Sequence, residues 1–322
     1  MTTARPRRRP WLPVVALLLV AGMAIGGLPW ALAADESGVA RYERNDVAQA
    51  LLPPWWAPHR PVERAAVDAV AAERGQRPRV WFGTDRLGRD VLARCIIGGA
   101  VSLGVGLGAA AVAGVLGTVW GAAAGSGGRR VDGALMRTVD VLQGLPTILL
   151  VVLIGLAADA LIVGAGDALG ARARTLLRLA VLVAAIGLVS WMTMARVVRG
   201  QTLSLMQQPF MEACTAMGMG RIRRFTRHLL PNLLGPIIVY AALTVPAAML
   251  SESFLSFLGL GVREPITSWG ALAADGVAEV NPVRTRWWLL VFPCALVAIT
   301  LVAMNLAGES VRRRFTASPG GA

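Results

Sequence analysis

Few residues in this 322-residue chain combine the type and spacing that chemistry requires. The two histidines, His59 and His228, lie far apart and outside the long apolar runs, so an acid–base or nucleophilic centre built on His is poorly supplied. Cys95, Cys214 and Cys294 form no C-x-x-C pair and indicate neither a disulfide framework nor a zinc site. All 32 basic residues are Arg. A phosphate-binding P-loop needs a Lys to reach the phosphates, so this chain cannot hold one. If ATP drives its work, a separate polypeptide binds and hydrolyses it. No cofactor or metal site is expected in the chain itself.

The elements that must position any such residues are membrane spans. The chain is 55% hydrophobic and 16% charged, with a mean hydropathy of +0.59. That composition belongs to the membrane class. Uncharged runs cover Pro10–Ala34, Cys95–Gly128, Val141–Ala158, Leu179–Ala195, Leu229–Ser251 and Trp287–Gly308. About 20 apolar residues in a helix cross ~30 Å of hydrocarbon, so six spans are expected, the fourth near the lower limit of length. The fold class is therefore all-α and polytopic.

The net charge of +13 is read as topology rather than nucleic-acid binding, because the Arg residues flank the spans. With the N-terminus inside and alternating spans, 16 Arg fall on inside segments and six on short outside loops. Both termini are therefore expected in the cytoplasm. Arg5, Arg7, Arg8 and Arg9 precede the first run, which ends in ALAAD. A signal peptide has a similar outline, but a run of this length favours a retained helix. The stretch from 35 to 90 is an external loop. In it LLPPWWAPHRP is too rich in Pro for a helix, Val62–Gly75 reads as a short amphipathic helix, and Trp55 and Trp56 suit an interfacial position. The second span carries Gly104 and Gly108, then Gly117, Gly121 and Gly125, at the spacing that lets helix backbones approach. The turn GSGGRR follows at Gly125–Arg130, and Pro146 sits near the start of the third span. A polar linker, Asp159–Arg178, is expected before the fourth. Asn305, in the last span, offers an amide for packing or for a bond across helices.

The largest inside loop contains EACTAMGMGRIRRFTRHLLPN, Glu212–Asn232. Pro209 can open a helix at its first position, Gly218 and Gly220 break it, RIRRFTRHLL forms a second short helix with a basic face, and Pro231 closes that helix before the fifth span. Phe210, Met211, Met217, Ile222 and Phe225 exceed what so short an elbow can cover. They need lipid headgroups or another protein.

This block resembles the EAA motif of ABC-importer permeases: Glu212-Ala213-Cys214, then Gly218, then His228-Leu229-Leu230-Pro231 at matching spacing, with Cys in place of the third small residue. The sequence around His228, with Leu-Pro-Asn after it, resembles the peptide and nickel importer subfamily. So do GTDRLGRDVLARCIIGGAVSLGVG before and into the second span, GGRRVDGALMRTVDVLQGLP before the third, and SESFLSFLGLGVREPITSWG after the fifth. The resemblance implies a six-span permease with a cytoplasmic coupling helix. It divides the chain into 1–34, the tail and first span; 35–94, the external loop; 95–308, the permease core with a coupling loop at 196–232; and 309–322, a cytoplasmic tail. It implies a second homologous permease as heterodimer partner, two ATP-binding subunits that hold the ATP, an extracytoplasmic substrate-binding protein, the bilayer of the plasma membrane, and no nucleic acid. Carried residue by residue, ATPase coupling falls to Glu212, Ala213, Cys214, Gly218, Arg221, Arg224, His228, Pro231 and Asn232. The Arg cluster Arg221–Arg227 is available to acidic groups or anionic lipid.

Glu252 closes the fifth uncharged run, between Ser251 and Ser253, with Ser256 four residues on. Acids at membrane depth are costly and point to function by default. Two roles are open. Glu252 caps the helix SFLSFLGLG or pairs with Arg263; or Glu252, Ser253 and Ser256 belong to the translocation path or its gate. Pro236 and Pro246 give the same span hinges. A stand-alone secondary transporter has no need of the 212–232 block, and an intramembrane enzyme would need His or paired acids within the spans. The substrate group expected is di- or oligopeptides, with nickel or another small solute as the alternative.

Overall fold

The computed structural model describes residues 11–34, 38–164, 170–280 and 285–316. The Arg residues at 5–9 and the last residues of the tail lie outside that set. Twelve α-helices are described: α1 (Trp11–Gly26), α2 (Leu28–Leu32), α3 (Pro61–Arg74), α4 (Val91–Ser126), α5 (Arg129–Gln143), α6 (Thr147–Gly164), α7 (Ala171–Met206), α8 (Pro209–Ala216), α9 (Arg221–Arg224), α10 (Leu230–Phe257), α11 (Trp269–Val277) and α12 (Trp288–Thr316). Among the described residues there is no sheet, only isolated bridges such as Thr84 with Asp90. Six helical segments are long and apolar enough to span a membrane: Val14–Leu32, Val91–Ser126, Thr147–Gly164, Ala173–Met206, Arg221–Phe257 and Trp288–Arg313.

Several boundaries differ from the sequence reading. The third span begins at Thr147, because Gly144 and Pro146 break the helix; Val141–Gln143 end a separate amphipathic helix, α5. The linker expected at Asp159–Arg178 is helical on both sides of residues 165–169, which lie outside the described set. Charge alone does not end a helix, and Arg178 meets Asp159 at 2.8 Å between α7 and α6. The fourth span continues past Ala195 to Met206, so residues 196–206 of the expected coupling loop are helix. Pro231 does not close a helix either. Phe225–Leu229 form a π-helical turn in which Leu230 N–H donates to the Phe225 carbonyl. Pro231 has no N–H to give, and the widened turn absorbs its ring, so the helix runs on into α10. The expected tail from 309 continues α12 to Thr316.

The chain divides into two compact units, Met1–Gly104 with Glu252–Ala303, and Val105–Ser251 with Met304–Ala322. In the first, Ala31, Ala93, Ile96 and Ile97 form a buried apolar cluster joined by Met23 and Leu28. The loop after α2 is held by specific bonds rather than by regular structure. Leu52 N–H donates to Thr84 Oγ1 at 2.8 Å, Thr84 N–H to the Leu52 carbonyl at 2.9 Å, and Trp288 Nε1 to the Thr84 carbonyl at 3.3 Å. Helix α3 occupies the amphipathic stretch expected there. Trp55 and Trp56 are both exposed, and Trp56 Nε1 donates to the Trp81 carbonyl.

In the second unit, the glycine face of α4 lies on α7. A Cβ on Gly117 would stand 2.5 Å from Met194, one on Gly121 2.4 Å from the Ala195 carbonyl, and one on Gly125 2.6 Å from Thr202. These are backbone-close contacts of the kind that substitute for hydrophobic driving force inside lipid. Gly104, which ends the first unit's part of α4, has nothing within 4 Å of its Cβ direction. Asp132 and Asp140 of α5 pair with Arg199 and Arg196 of α7. The Arg199 partner holds the Asp132 carboxyl below the usual carboxylate range. Ala122, Met194, Val198, Leu229 and Leu233 make the buried cluster of this unit. Asn305 is exposed on α12.

Candidate functional site

The elbow between α7 and α10 is built from local rules. Pro209 stands at the first position of α8, where its missing N–H is not needed. Gly218 ends the helix at φ 69°, in the left-handed region that a side chain resists. Gly218 N–H donates to the Thr215 carbonyl at 3.0 Å and Met219 N–H to the Cys214 carbonyl at 3.1 Å. This pair of bonds is a Schellman closure. The second arm restarts at Arg221, and Arg224 Nη1 donates to Thr215 Oγ1 at 2.7 Å, tying the arms together. Asn232 Nδ2 donates to the His228 carbonyl at 2.7 Å just beyond the π turn.

This bracing sorts the expected coupling residues into two sets. Met211 is 1% exposed and Cys214 is buried with it, so both pack α8 against its own chain. Phe225 packs on the buried cluster around Val198. Glu212, Ala213, Gly218, Arg221, Pro231 and Asn232 are exposed, while Arg224 and His228 are half-buried. Phe210, Met217 and Ile222 keep large apolar surface in the open, Ile222 at 81%. The elbow therefore has a fixed inner face and an apolar and charged outer face that nothing among the described residues covers.

Glu252 is placed in the first unit and is fully buried. Ser102 Oγ donates to its Oε2 at 2.9 Å and Ser256 Oγ to its Oε1 at 2.7 Å, with Ser253 Oγ at 3.4 Å. Trp269 N–H donates to Ser102 Oγ at 3.3 Å, and Trp269 Nε1 to the Cys95 carbonyl at 2.8 Å. The cap reading is corrected, because α10 passes through Glu252 without a break to Phe257. The pairing with Arg263 is also corrected: among the described residues the carboxylate's partners are hydroxyls. Burial so deep is tolerated because each oxygen has a donor. Ser102 and Trp269 were not singled out from sequence, since residues 150 and 167 positions apart reveal no local pattern.

A second group in the first unit also escaped the sequence reading. Arg94 meets Asp85 at 2.7 Å, Glu264 at 3.4 Å and Asp275 at 3.5 Å. Arg89 bridges Asp85 and Glu264 at 2.7 and 2.8 Å. Burial works against the charge on Arg89, but Asp85 and Glu264 hold its pKa above the usual value. Burial pushes the Asp275 carboxyl up. Glu279 binds both Arg86 and Arg286; burial raises its pKa less than those two guanidinium groups lower it, so it stays below the usual range. All of these except Arg286 line a cleft of about 330 Å³. A signal was present: Arg94 follows the start of a span by only three residues, where an unpaired cation would be costly.

Residues 117–317 match the family described as binding-protein-dependent transport system inner membrane component. The dipeptide transport system permease protein DppC of Bacillus subtilis is 37% identical over 263 residues, covering 82% of this chain and 75% of that protein. The oligopeptide transport system permease protein OppC of Escherichia coli strain K12 is 44% identical over 232 residues, covering 72% of this chain and 70% of that protein. A solved chain from inward-facing conformations of the MetNI methionine ABC transporter is 19% identical, covering 66% of this chain and 94% of that one with a TM-score of 0.45. The family match takes in five of the six spans wholly or in part and the whole elbow. On that match and on relatives aligned over most of their length, the chain belongs to the binding-protein-dependent transport system inner membrane components.

Proposed function

We propose that this chain is the transmembrane subunit of an ATP-binding-cassette importer for di- or oligopeptides. It forms half of the path through the membrane beside a second, homologous permease. Two ATP-binding subunits supply the energy and an extracytoplasmic binding protein delivers the substrate. The elbow at α8–α9 faces the cytoplasm, as do both termini, and docks on an ATP-binding subunit through Glu212, Ala213 and the exposed Phe210, Met217 and Ile222. Arg221 and Arg224 lie alongside for acidic groups on that partner. When the ATP-binding subunits close, the elbow moves as one piece and the helices attached to it tilt. A short braced element transmits force to a bistable bundle where a loose loop would absorb it. Glu252, Ser253 and Ser256 belong to the translocation path or its gate.

The observation that carries this reading is the bracing of the elbow: a Schellman closure and the Arg224–Thr215 bond hold its two arms together while apolar surface is left uncovered. The peptide assignment is supported by the relatives' substrates, as their names state them. The absence of Lys from the sequence accords with ATP being held by another subunit. The test is uptake of labelled peptide by proteoliposomes carrying the complete transporter. The Glu212→Lys variant is expected to insert normally and to lose at least about tenfold in ATP-driven uptake, as for a lost charge-assisted contact of ~1.4 kcal/mol or more. Uptake equal to wild type, or uptake by this chain without its partners, overturns the proposal.

A further inference from the structure

The external loop of the first unit holds a pocket that the transport reading does not use. It has a volume of about 880 Å³, and its lining includes five Arg, the two carboxylates Asp46 and Asp90, and Ala33 and Ala34. That size falls within the ~300–1,000 Å³ of small-molecule sites. Both carboxylates are already engaged. Arg74 and Gln49 bond Asp46 at 2.7 and 3.0 Å. Asp90 accepts from Leu92 N–H at 2.9 Å and Ala93 N–H at 3.4 Å at the start of α4. Of the lining Arg residues, Arg74 is taken up by Asp46 and Arg77 by Asp68 at 3.0 Å. Arg41 stacks over the Trp30 ring at 4.5 Å, and Arg79 is exposed with no ion pair among the described residues.

The location fixes the level of this pocket relative to a bilayer. Ala33 and Ala34 directly follow the span Val14–Leu32, and Asp90 directly precedes the span Val91–Ser126. The pocket therefore lies beside the points where two spans leave the hydrocarbon, at the level of lipid phosphates and interfacial aromatic residues. Guanidinium groups present a planar fork that matches phosphate oxygens in a way a point charge does not. We propose that this pocket binds the phosphate of an anionic phospholipid headgroup, with Arg41 and Arg79 as its principal donors. The bound lipid then pins the external loop to the membrane surface beside the second span.

The test uses the full chain in mild detergent doped with phosphatidylglycerol or phosphatidylcholine, with retained lipid counted by native mass spectrometry. Wild type is expected to keep a phosphatidylglycerol and to exchange phosphatidylcholine freely. The Arg41→Gln, Arg79→Gln double variant is expected to retain it about tenfold less, and the Arg41→Lys, Arg79→Lys variant, which keeps the charge but loses the fork, to retain an amount between the two. The Lys variant guards against a misfolded Gln variant, and inorganic phosphate should not displace the lipid. Equal retention by the Gln variant and wild type, or equal retention of the two lipids, overturns the proposal. Full displacement by inorganic phosphate overturns the lipid as source and assigns the pocket to a soluble phosphate. Transport is not part of the readout, so failure here leaves the importer reading standing.

Discussion

Arg94 and Asp85 meet with only 4% and 9% of their side chains exposed, and the cost of leaving either alone decides what substitution there does. A buried cation without its counter-charge costs about 3–5 kcal/mol. Asp85 also accepts the backbone N–H groups of Leu87 and Arg89, so it orders the turn that leads into α4. Asp85→Ala should therefore destabilise the chain by about 3 kcal/mol or more. Glu264 touches the same Arg94 but is 60% exposed, and water can replace it. Glu264→Gln should cost under about 1 kcal/mol. Thermal unfolding in detergent, followed by Trp fluorescence, compares the two. Similar losses would mean that the cluster is an exposed network and not a buried one. Gly218 follows from the same kind of local reasoning, and there the sequence was sufficient: a Gly three residues beyond Thr215 in a helix of good formers is a stop signal with one physical meaning.

Helices α4 and α7 show which part of an element a sequence reveals. The 117–121–125 spacing of glycines identified a packing face, and the face lies where a Cβ would collide with Ala195 and Thr202. The same spacing at Gly104 and Gly108 was less reliable: a Cβ on Gly108 would stand 2.8 Å from Val183, but one on Gly104 meets nothing. Spacing proposes a face, and only the partner's backbone makes it one. Helix α5 was missed for a related reason. The turn GSGGRR was read at Gly125–Arg130 and no helix after it, yet Asp132 and Asp140 are eight apart and pair with Arg199 and Arg196. The partners lie 56 and 67 positions away, beyond any local pattern. The span count was legible because hydropathy is additive along the chain. The span ends were not, because paired charges extend helices past the hydrocarbon. Gly121→Val should therefore separate α4 from α7 and lower the unfolding temperature by several degrees, an overpacking cost of about 1–3 kcal/mol. Gly104→Ala should leave it within about a degree, as for a surface change of ~0.5 kcal/mol or less. Equal shifts for both would show that helix propensity, not contact, sets the effect.

At the scale of the molecule, the orientation we propose rests on where the Arg residues fall between spans. Six spans return the chain to its starting side, and 16 Arg on one set of segments against six on the short loops of the other choose which side that is. This predicts that the elbow and the external loop lie on opposite faces of the membrane. Three cysteines constrain the experiment. Cys95 and Cys214 are buried and should stay silent to a bulky thiol reagent, whereas Cys294 is exposed and must first be replaced by Ala. In that background the Trp56→Cys variant places one reporter on the external loop, and the Met217→Cys variant one on the elbow, both at exposed positions. An impermeant maleimide applied to intact cells should label the first and not the second, and permeabilisation should reveal the second. The reverse pattern would place the elbow outside, where no ATP-binding subunit could reach it. Labelling of both in intact cells would mean that the spans do not alternate as their hydropathy requires.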